Sequence, residues 1–324
     1  MLAGRNPIAP HTNVKACQEE GEPSRLNQDQ PMSQTHPPSE SLSADTDWDL
    51  IIEPRQPWFD LHLQDLWRYR DLIALFVRRD FVALFKQTVL GPVWFVLQPL
   101  LTTLMFTIVF GNIAKLSTDG LPKILFYMSG SILWQYFAAC LSSTSNTFRG
   151  NAHIFGKVYF PRLAVPVSVV ISQMLKLALQ LLFFLGFLAY YKMTGSVVNL
   201  TRAVWLLPGL VLIMAALGLG VGIILSALTT KYRDLQFLLQ FGVQLLMYTT
   251  TVIYPLSAIQ GGHSRLFILA NPMTPIIEAF RYAFLGTGSF SWLHLSYSAG
   301  AAASLLFIGI LMFTKIERTF MDTV

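Results

Sequence analysis

Long apolar segments constrain this chain more than any other feature of its sequence. Six of them come close to the roughly 20 residues that an α-helix needs to cross the hydrocarbon core of a membrane. They lie at residues 92–110, 124–144, 163–190, 204–228, 235–254 and 295–313. Because irregular backbone cannot face lipid, each segment is predicted to be a helix. The sequence therefore predicts an all-α membrane protein with six transmembrane helices.

The composition agrees with this class. Hydrophobic residues make up 53% of the 324 residues and charged residues 13%, which is about half the charged fraction of a soluble domain. The net positive charge does not indicate nucleic acid as a partner, because most Lys and Arg residues flank the apolar segments. The cysteines, Cys17 and Cys140, form neither a disulfide framework nor a metal-ligand pattern.

Lys and Arg residues also predict the orientation of the helices. Six crossings return the chain to the face on which it began, and Lys and Arg are more frequent on that face than on the opposite one. Loops rich in Lys and Arg remain in the cytoplasm. We therefore expect a multi-pass protein with both termini in the cytoplasm.

The chain before the first apolar segment divides into two parts. Residues 1–47 are rich in Pro, Ser, Gln and Asn and poor in aliphatic clusters, so we expect a disordered cytoplasmic extension. Residues 48–90 are predicted to form cytoplasmic interfacial helices. Residues 91–324 then form the six-span transmembrane domain.

An amphipathic pattern covers residues 72–89. Its apolar face is opposed by the basic residues Arg78, Arg79 and Lys86, which is typical of a helix that lies on a membrane surface. Gly91 and Pro92 follow and are predicted to be the hinge between this helix and the first transmembrane helix.

A shorter apolar region at residues 266–285 contains the sequence NPMTP, which begins at Asn271 and Pro272. Interrupted helix at membrane depth is tolerated only where protein or a water-filled cavity covers it. The region is therefore predicted to form one or two short re-entrant or interfacial helices rather than a seventh span. Glu278 and Arg281, three residues apart, are predicted to pair.

Polar residues interrupt the third apolar segment. Gln173, Lys176 and Gln180 share one helix face, and Lys176 lies near mid-membrane, where a charge is costly. This stripe is interpreted either as part of a hydrophilic conduit or as a helix–helix contact. Trp94 and Trp134 belong to a dense aromatic set in the first two segments; they are candidates for lining the conduit, although packing explains most of that set.

Two basic loops lie on the predicted cytoplasmic face, at residues 148–162 and 229–236. The first is either a short helix that docks into a groove of a soluble partner or an ordinary topology loop. In the second, Asp234 is predicted to cap the fifth helix. The residues that would contact a partner are His153, Ile154, Phe155, Lys157, Tyr232, Arg233 and Asp234.

Fragments of the sequence that resemble nucleotide-binding motifs of enzymes do not match those motifs. The fragment GKV at residues 156–158 is not a phosphate loop, because Asn151 and Val158 replace the required Gly and Ser or Thr. The sequence ALGLGVG lies inside an apolar segment, where Gly218 and Gly222 are interpreted as a small-residue packing face. We expect no catalytic, cofactor or metal site on this chain.

Nine short motifs in the sequence resemble those of permease subunits of type-2 ABC exporters that move polysaccharides, the O-antigen, capsule and teichoic-acid exporters. In chain order they are IIEP, LWRYRDLIALFVRRDF, FKQTVLGPVWFVLQPL, FTIVFG, GSILWQYF, FPRLAVP, YRD, NPMTPIIEAFRYAFLG and ERTF. They lie in the family's order and on the expected sides of the six predicted helices, from residue 51 to the C-terminus.

The resemblance implies a homodimeric permease of the bacterial inner membrane that moves lipid-linked polysaccharide out of the cytoplasm. Two separate ATPase subunits would bind ATP and Mg. Residues 72–89 would be the cytoplasmic gate helix and residues 148–162 the principal coupling helix. The periplasmic gate would contain Asn271, Pro272, Glu278 and Arg281.

Two other functions remain open at this point. A type-2 ABC exporter of a small drug or lipid would share the fold and differ in its substrate. A membrane-embedded glycan enzyme, such as a glycosyltransferase, is disfavoured because the sequence lacks an acidic cluster at a membrane face.

Overall fold

The computed structural model describes residues 63–86, 91, 93–151, 160–196, 198–232, 234–259 and 261–321. Within these ranges every regular element is a helix, which confirms the predicted all-α class. The predicted extension at residues 1–47 lies outside the described residues, as does the beginning of the interfacial segment.

The helices are numbered here in chain order. They are α1 (Leu63–Arg68), α2 (Arg70–Phe85), α3 (Val93–Phe106), α4 (Lys123–Ser145), α5 (Thr147–Gly150), α6 (Ala164–Met193), α7 (Leu207–Lys231), α8 (Leu235–Tyr248), α9 (Gly262–Ala270), α10 (Met273–Leu285) and α11 (Trp292–Met321). A π-helical stretch, Thr107–Ile113, extends α3, and the 3-10 helices Arg202–Leu206 and Leu256–Ala258 precede α7 and α9.

Five stretches of helix in the described ranges are long and apolar enough to cross a membrane. They are Val93–Ile113, Lys123–Ser145, Ala164–Met193, Arg202–Thr229 and Trp292–Thr314. These correspond to the predicted first, second, third, fourth and sixth spans, so sequence length and hydropathy located them correctly.

The predicted fifth span is shorter in the structure than in the sequence prediction. Helix α8 has 14 residues, about 21 Å at 1.5 Å per residue, against about 30 Å for the hydrocarbon core. The Thr249 and Thr250 hydroxyls donate to the carbonyls of Leu246 and Met247 at the end of α8. Pro255 then disfavours helical backbone in the residue before it. Helix α8 ends at Tyr248, the chain bends after it, and six full spans are not confirmed.

Helix α4 forms the centre of the main hydrophobic core. Most of its residues are buried, and it packs against α3, α6 and α7. Helix α7 in turn packs against α11. One end of this bundle, the α2 end, is where Phe76 of α2 packs in one cluster with Phe148 and Phe160; the other is the α10 end.

The predicted small-residue face of α7 is confirmed. A Cβ at Gly218 would lie 2.7 Å from Cβ of Cys140, and a Cβ at Gly222 would lie 2.6 Å from Cβ of Thr144, both on α4. In the neighbouring contact between α7 and α11, a Cβ at Gly309 of α11 would lie 2.8 Å from the carbonyl oxygen of Gly220. Close approach of the backbones is what packs helices together in membranes.

Candidate functional site

Helix α2 carries the residues predicted for the gate helix. Phe76 is buried at 7% exposure, whereas Arg78 and Arg79 are exposed. Arg79 pairs with Asp80 at 2.9 Å, and its guanidinium lies 4.8 Å from the centre of the Phe76 ring. Exposed Lys86 directly follows the helix. One side of α2 is thus held on the protein, while its basic side remains accessible.

The predicted hinge follows α2. Gly91 has a φ of 49°, in the left-handed region that favours glycine. No atom lies within 4 Å of where its Cβ would be. The backbone conformation, and not a lack of space, therefore accounts for glycine at this position. Pro92 lies outside the described residues.

An aromatic cluster, formed by Phe76, Phe148, Phe160 and Phe313, joins α2 to the rest of the α2 end. The rings of Phe76 and Phe160 meet edge to face at 5.8 Å, and those of Phe148 and Phe313 stack at 4.7 Å. Phe148 and Phe160 flank the first basic loop. Both ends of that loop are therefore packed, one against α11 and the other against α2.

Five of the seven residues predicted to contact a soluble partner lie outside the described residues. They are His153, Ile154, Phe155, Lys157 and Arg233. Tyr232 is exposed at the end of α7.

The predicted side-chain cap of α8 is wrong. Asp234 already has helical backbone angles, φ −69° and ψ −25°, and its side chain makes no capping hydrogen bond. Its backbone carbonyl accepts from the N–H of Phe237 at 3.0 Å. Sequence reasoning also missed a bond between the two loops, in which Arg149 donates to Oε1 of Gln236 at 2.9 Å.

The polar stripe of α6 faces α3 and α4. Gln173 donates to Oγ of Ser143 at 3.4 Å, and Gln180 donates to the carbonyl oxygen of Phe95 at 3.2 Å. Nζ of Lys176, which is half-buried, lies 5.3 Å from the centre of the Phe95 ring. Within one chain the stripe makes helix–helix contacts, and its role in a conduit stays a prediction.

The two predicted conduit tryptophans have different environments. Trp94 is 52% exposed, whereas Trp134 is 5% exposed and lies in the main core. The ring of Trp134 is 5.4 Å from that of Phe137 on the same helix.

The interrupted region at the α10 end forms two short helices, α9 and α10, instead of a further span. Asn271 and Pro272 connect them. Oδ1 of Asn271 accepts from the N–H of Met273 at 3.1 Å, and its amide donates to Oγ1 of Thr249 at 3.4 Å. The carbonyl of Pro272 accepts from Oγ of Ser298 on α11 at 2.8 Å.

Glu278 and Arg281 on α10 form the predicted pair. Nη1 of Arg281 lies 3.4 Å from Oε1 of Glu278, with side-chain exposures of only 2% and 3%. Oε2 of Glu278 accepts from the N–H of Ser289 at 3.1 Å. Because a buried charge is stable only when it is paired and hydrogen-bonded, removing one partner of such a pair costs about 3–5 kcal/mol.

The remaining donors of Arg281 reach other elements. Nε donates to Oγ of Ser129 at 3.3 Å, and Nη2 donates to the carbonyls of Phe126 at 3.4 Å and Val252 at 3.0 Å. The guanidinium also lies 3.7 Å from the centre of the Phe126 ring. The guanidinium is thus paired with one carboxylate and donates to three further oxygens.

A cavity of about 280 Å³ opens beside this pair. It is lined by Asp119, Leu256, Ser257, Arg265, Glu278, Gly288 and Ser289. Oγ of Ser257 donates to Oδ1 of Asp119 at 2.7 Å. In the part of the chain that the structure describes, no group of three or more His, Cys, Asp or Glu residues could hold a metal ion.

Together, the five long apolar helices define an integral, multi-pass membrane protein. A family model described as "ABC-2 type transporter" matches residues 71–285. The chain belongs to this family. The family resemblance of its motifs is thereby confirmed, and the chain is a transport subunit.

Individual relatives match between about two thirds and four fifths of the chain. An O-antigen export system permease protein RfbA of Klebsiella pneumoniae is 28% identical over 253 residues, 78% of this chain and 94% of that protein. The protein of the same name from Myxococcus xanthus is 29% identical, over 68% of this chain and 83% of its own length. The polysialic acid transport protein KpsM of Escherichia coli is 22% identical, over 77% and 95%.

Proposed function

We propose that this chain is the transmembrane permease of an ATP-driven exporter that moves lipid-linked polysaccharide, of the O-antigen or capsule type, from the cytoplasm across the bacterial inner membrane. The observation that carries the proposal is the extent of similarity to O-antigen export permeases. It covers 94% of the Klebsiella pneumoniae protein, which leaves little room for a different membrane architecture.

In this proposal two copies of the chain enclose a conduit and bind two separate ATPase subunits, which hold ATP and Mg. Membership of the ABC-2 family supports an ATPase partner, as does the absence of a phosphate-loop pattern from the sequence. The first basic loop, with Phe155 and Lys157, is the proposed docking segment. Asn151 of this loop and Gln236 of α8 line an open cavity of about 350 Å³.

The proposed topology has both termini in the cytoplasm. Helix α8 and the bent segment after it make the fifth crossing, and α9 and α10 are re-entrant helices at the periplasmic mouth. Burial of nearly all of α10 supports this arrangement, because a short helix at membrane depth needs protein around it. The α2 end then faces the cytoplasm.

Helix α2 is the proposed gate helix at the cytoplasmic entrance. Its exposed Arg78 and Arg79, with Lys86, would face lipid headgroups, and an anionic lipid-linked substrate would pass the same surface. Gly91 and Pro92 would fix its angle to α3. For the conduit itself, accessible Trp94 and Lys176 are the favoured lining residues, since Gln173 and Gln180 already bond to neighbouring helices.

A deletion strain tests the proposed function. We expect loss of the chain to leave finished polysaccharide in the cytoplasm and to abolish it at the cell surface, with both effects reversed by the wild-type chain together with its ATPase. Normal surface polysaccharide, with a defect in efflux of a drug or a lipid, would contradict the proposal. Glycosyltransferase activity of the purified chain without an ATPase would contradict it as well.

A further inference from the structure

Arg281 has the largest fully buried side chain in the described part of the protein. Its guanidinium bonds to α4 through Ser129 and Phe126, to the chain after α8 through Val252, and to its own helix through Glu278. One side chain thus connects three separate parts of the α10 end.

The contact with Val252 supplies a hydrogen-bond donor that the bend leaves missing. After Tyr248 the chain has no regular helix until Leu256, so the carbonyl of Val252 receives no bond from a following turn of α-helix. Val252 is fully buried, and a buried carbonyl without a donor is strongly unfavourable. Nη2 of Arg281 supplies that donor at 3.0 Å.

Gly130 provides the space for this contact. A Cβ at Gly130 would lie 3.0 Å from Nη2 of Arg281 and 3.0 Å from both Cα and the carbonyl oxygen of Val252. The bent segment, residues 249–255, therefore approaches α4 directly over this glycine, with the guanidinium beside it.

The guanidinium is itself held through its other terminal nitrogen, Nη1. Glu278 binds Nη1 of Arg281 through one oxygen and the N–H of Ser289 through the other. Gly288, at a φ of 113°, makes that turn, and a Cβ there would lie 2.9 Å from the carbonyl oxygen of Glu278. The loop after α10 thus holds the Glu278 carboxylate in place, and this carboxylate in turn orients the Arg281 guanidinium.

We propose that Arg281 is a positioning residue that holds the bent segment against α4. Glu278 orients the guanidinium, and Gly130 admits the segment. Any effect of this contact on transport rests on the proposed function, in which this part of the chain forms the mouth of the conduit.

Thiol labelling tests the proposal. Thr251 in the bent segment is fully buried, and its hydroxyl has no hydrogen-bond partner in the described structure, so Thr251→Cys is a mild change. In a background carrying Cys17→Ser and Cys140→Ala, reconstituted in lipid nanodiscs, we expect this thiol to be protected from a water-soluble maleimide. Adding Arg281→Gln should accelerate labelling about tenfold, because the segment then opens more often.

Two further variants separate positioning from charge alone. Arg281→Lys retains the charge but lacks the planar fork that serves several acceptors, and we expect it to label almost as fast as Arg281→Gln. Arg265→Gln, which removes an exposed Arg from neighbouring α9, should leave Thr251→Cys protected. Ser257→Cys, which replaces an exposed residue, reports full labelling in every background.

Continued protection of Thr251→Cys in an Arg281→Gln protein at wild-type membrane levels would overturn the proposal, and so would full protection restored by Arg281→Lys. Where Arg281→Gln does not accumulate, Arg281→Lys decides: faster labelling supports the proposal, and unchanged protection overturns it. Labelling needs no transport. If the variants label as expected but the wild-type chain does not restore polysaccharide export in the deletion strain, the result contradicts only the proposed function.

Discussion

Arg281 and Lys176 are two cations that the protein stabilises in different ways. Arg281 is fully enclosed, and its donors are bonded to a carboxylate, a hydroxyl and two carbonyls. Lys176 is only half-buried, and its contact is the face of the Phe95 ring. Enclosure suits a structural cation, whereas partial exposure leaves a charge available to a passing molecule or to water.

Reversing the charge at Lys176 tests its role in the conduit. Lys176→Glu places a carboxylate against the electron-rich face of Phe95, and in the proposed conduit it repels an anionic lipid-linked substrate. We expect polysaccharide export to fall about tenfold or more, with the amount of protein in the membrane unchanged. Lys192→Glu, at the exposed end of the same helix, is the control and should export normally. Full export by Lys176→Glu would exclude a role for this side chain in the conduit.

Local spacing predicts only part of the site around Arg281. The pair with Glu278 follows from three-residue spacing on a helix. Ser129, Phe126 and Val252 are 152, 155 and 29 residues away in sequence, so no local pattern connects them with Arg281. The predicted cap at Asp234 failed for a related reason: capping depends on the backbone angles of the residue, and residue type alone does not reveal them.

At the scale of whole elements, hydropathy located the long helices but not the end of α8. The apolar character of the sequence continues beyond Tyr248 through Val252 and Ile253, so the pattern predicts unbroken helix. The helix ends earlier, where the N–H groups of Thr249 and Thr250 bond to carbonyls three residues back instead of four, and the two hydroxyls bond to the same carbonyls. A hydropathy scale scores these threonines as nearly neutral and is blind to such bonds.

The contact between α7 and α4 makes a prediction about stability. A Cβ at Gly222 would lie 2.6 Å from Cβ of Thr144, and overpacking of this kind costs about 1–3 kcal/mol. We therefore expect Gly222→Ala to lower the melting temperature of the detergent-solubilised protein, measured by size-exclusion chromatography after heating.

Gly186→Ala on α6 is the matched control for this contact. It also adds one methyl group inside a membrane helix, but no atom lies within 4 Å of the added Cβ. We expect it to be neutral or slightly stabilising, because Ala favours helix over Gly by about 1 kcal/mol. Equal melting temperatures for Gly222→Ala and Gly186→Ala would contradict close packing of α7 on α4.

At the scale of the whole molecule, the aromatic cluster at the α2 end links two features to which the proposed function assigns different tasks, the docking loop and the gate helix, and it also includes a residue of α11. Phe148 and Phe160 flank the proposed docking loop, Phe76 belongs to the proposed gate helix, and Phe313 lies on α11. Since packed side chains transmit displacement, a movement of the loop would be passed to α2 without an intermediate element. Binding of an ATPase and movement of the gate are therefore expected to be coupled.

The docking loop gives the last prediction. Removing the apolar anchor with Phe155→Ala, or the charge with Lys157→Ala, should reduce co-purification of the ATPase subunit about tenfold, because a few buried side chains dominate such interfaces. Phe267→Ala is the matched control: it removes an exposed phenyl ring, 67% accessible, from α9 at the α10 end. If the loop is the docking segment, this control binds the ATPase normally. Wild-type binding and export by both loop variants would assign ATPase contact to another surface. The aromatic cluster would then not couple ATPase binding to movement of α2.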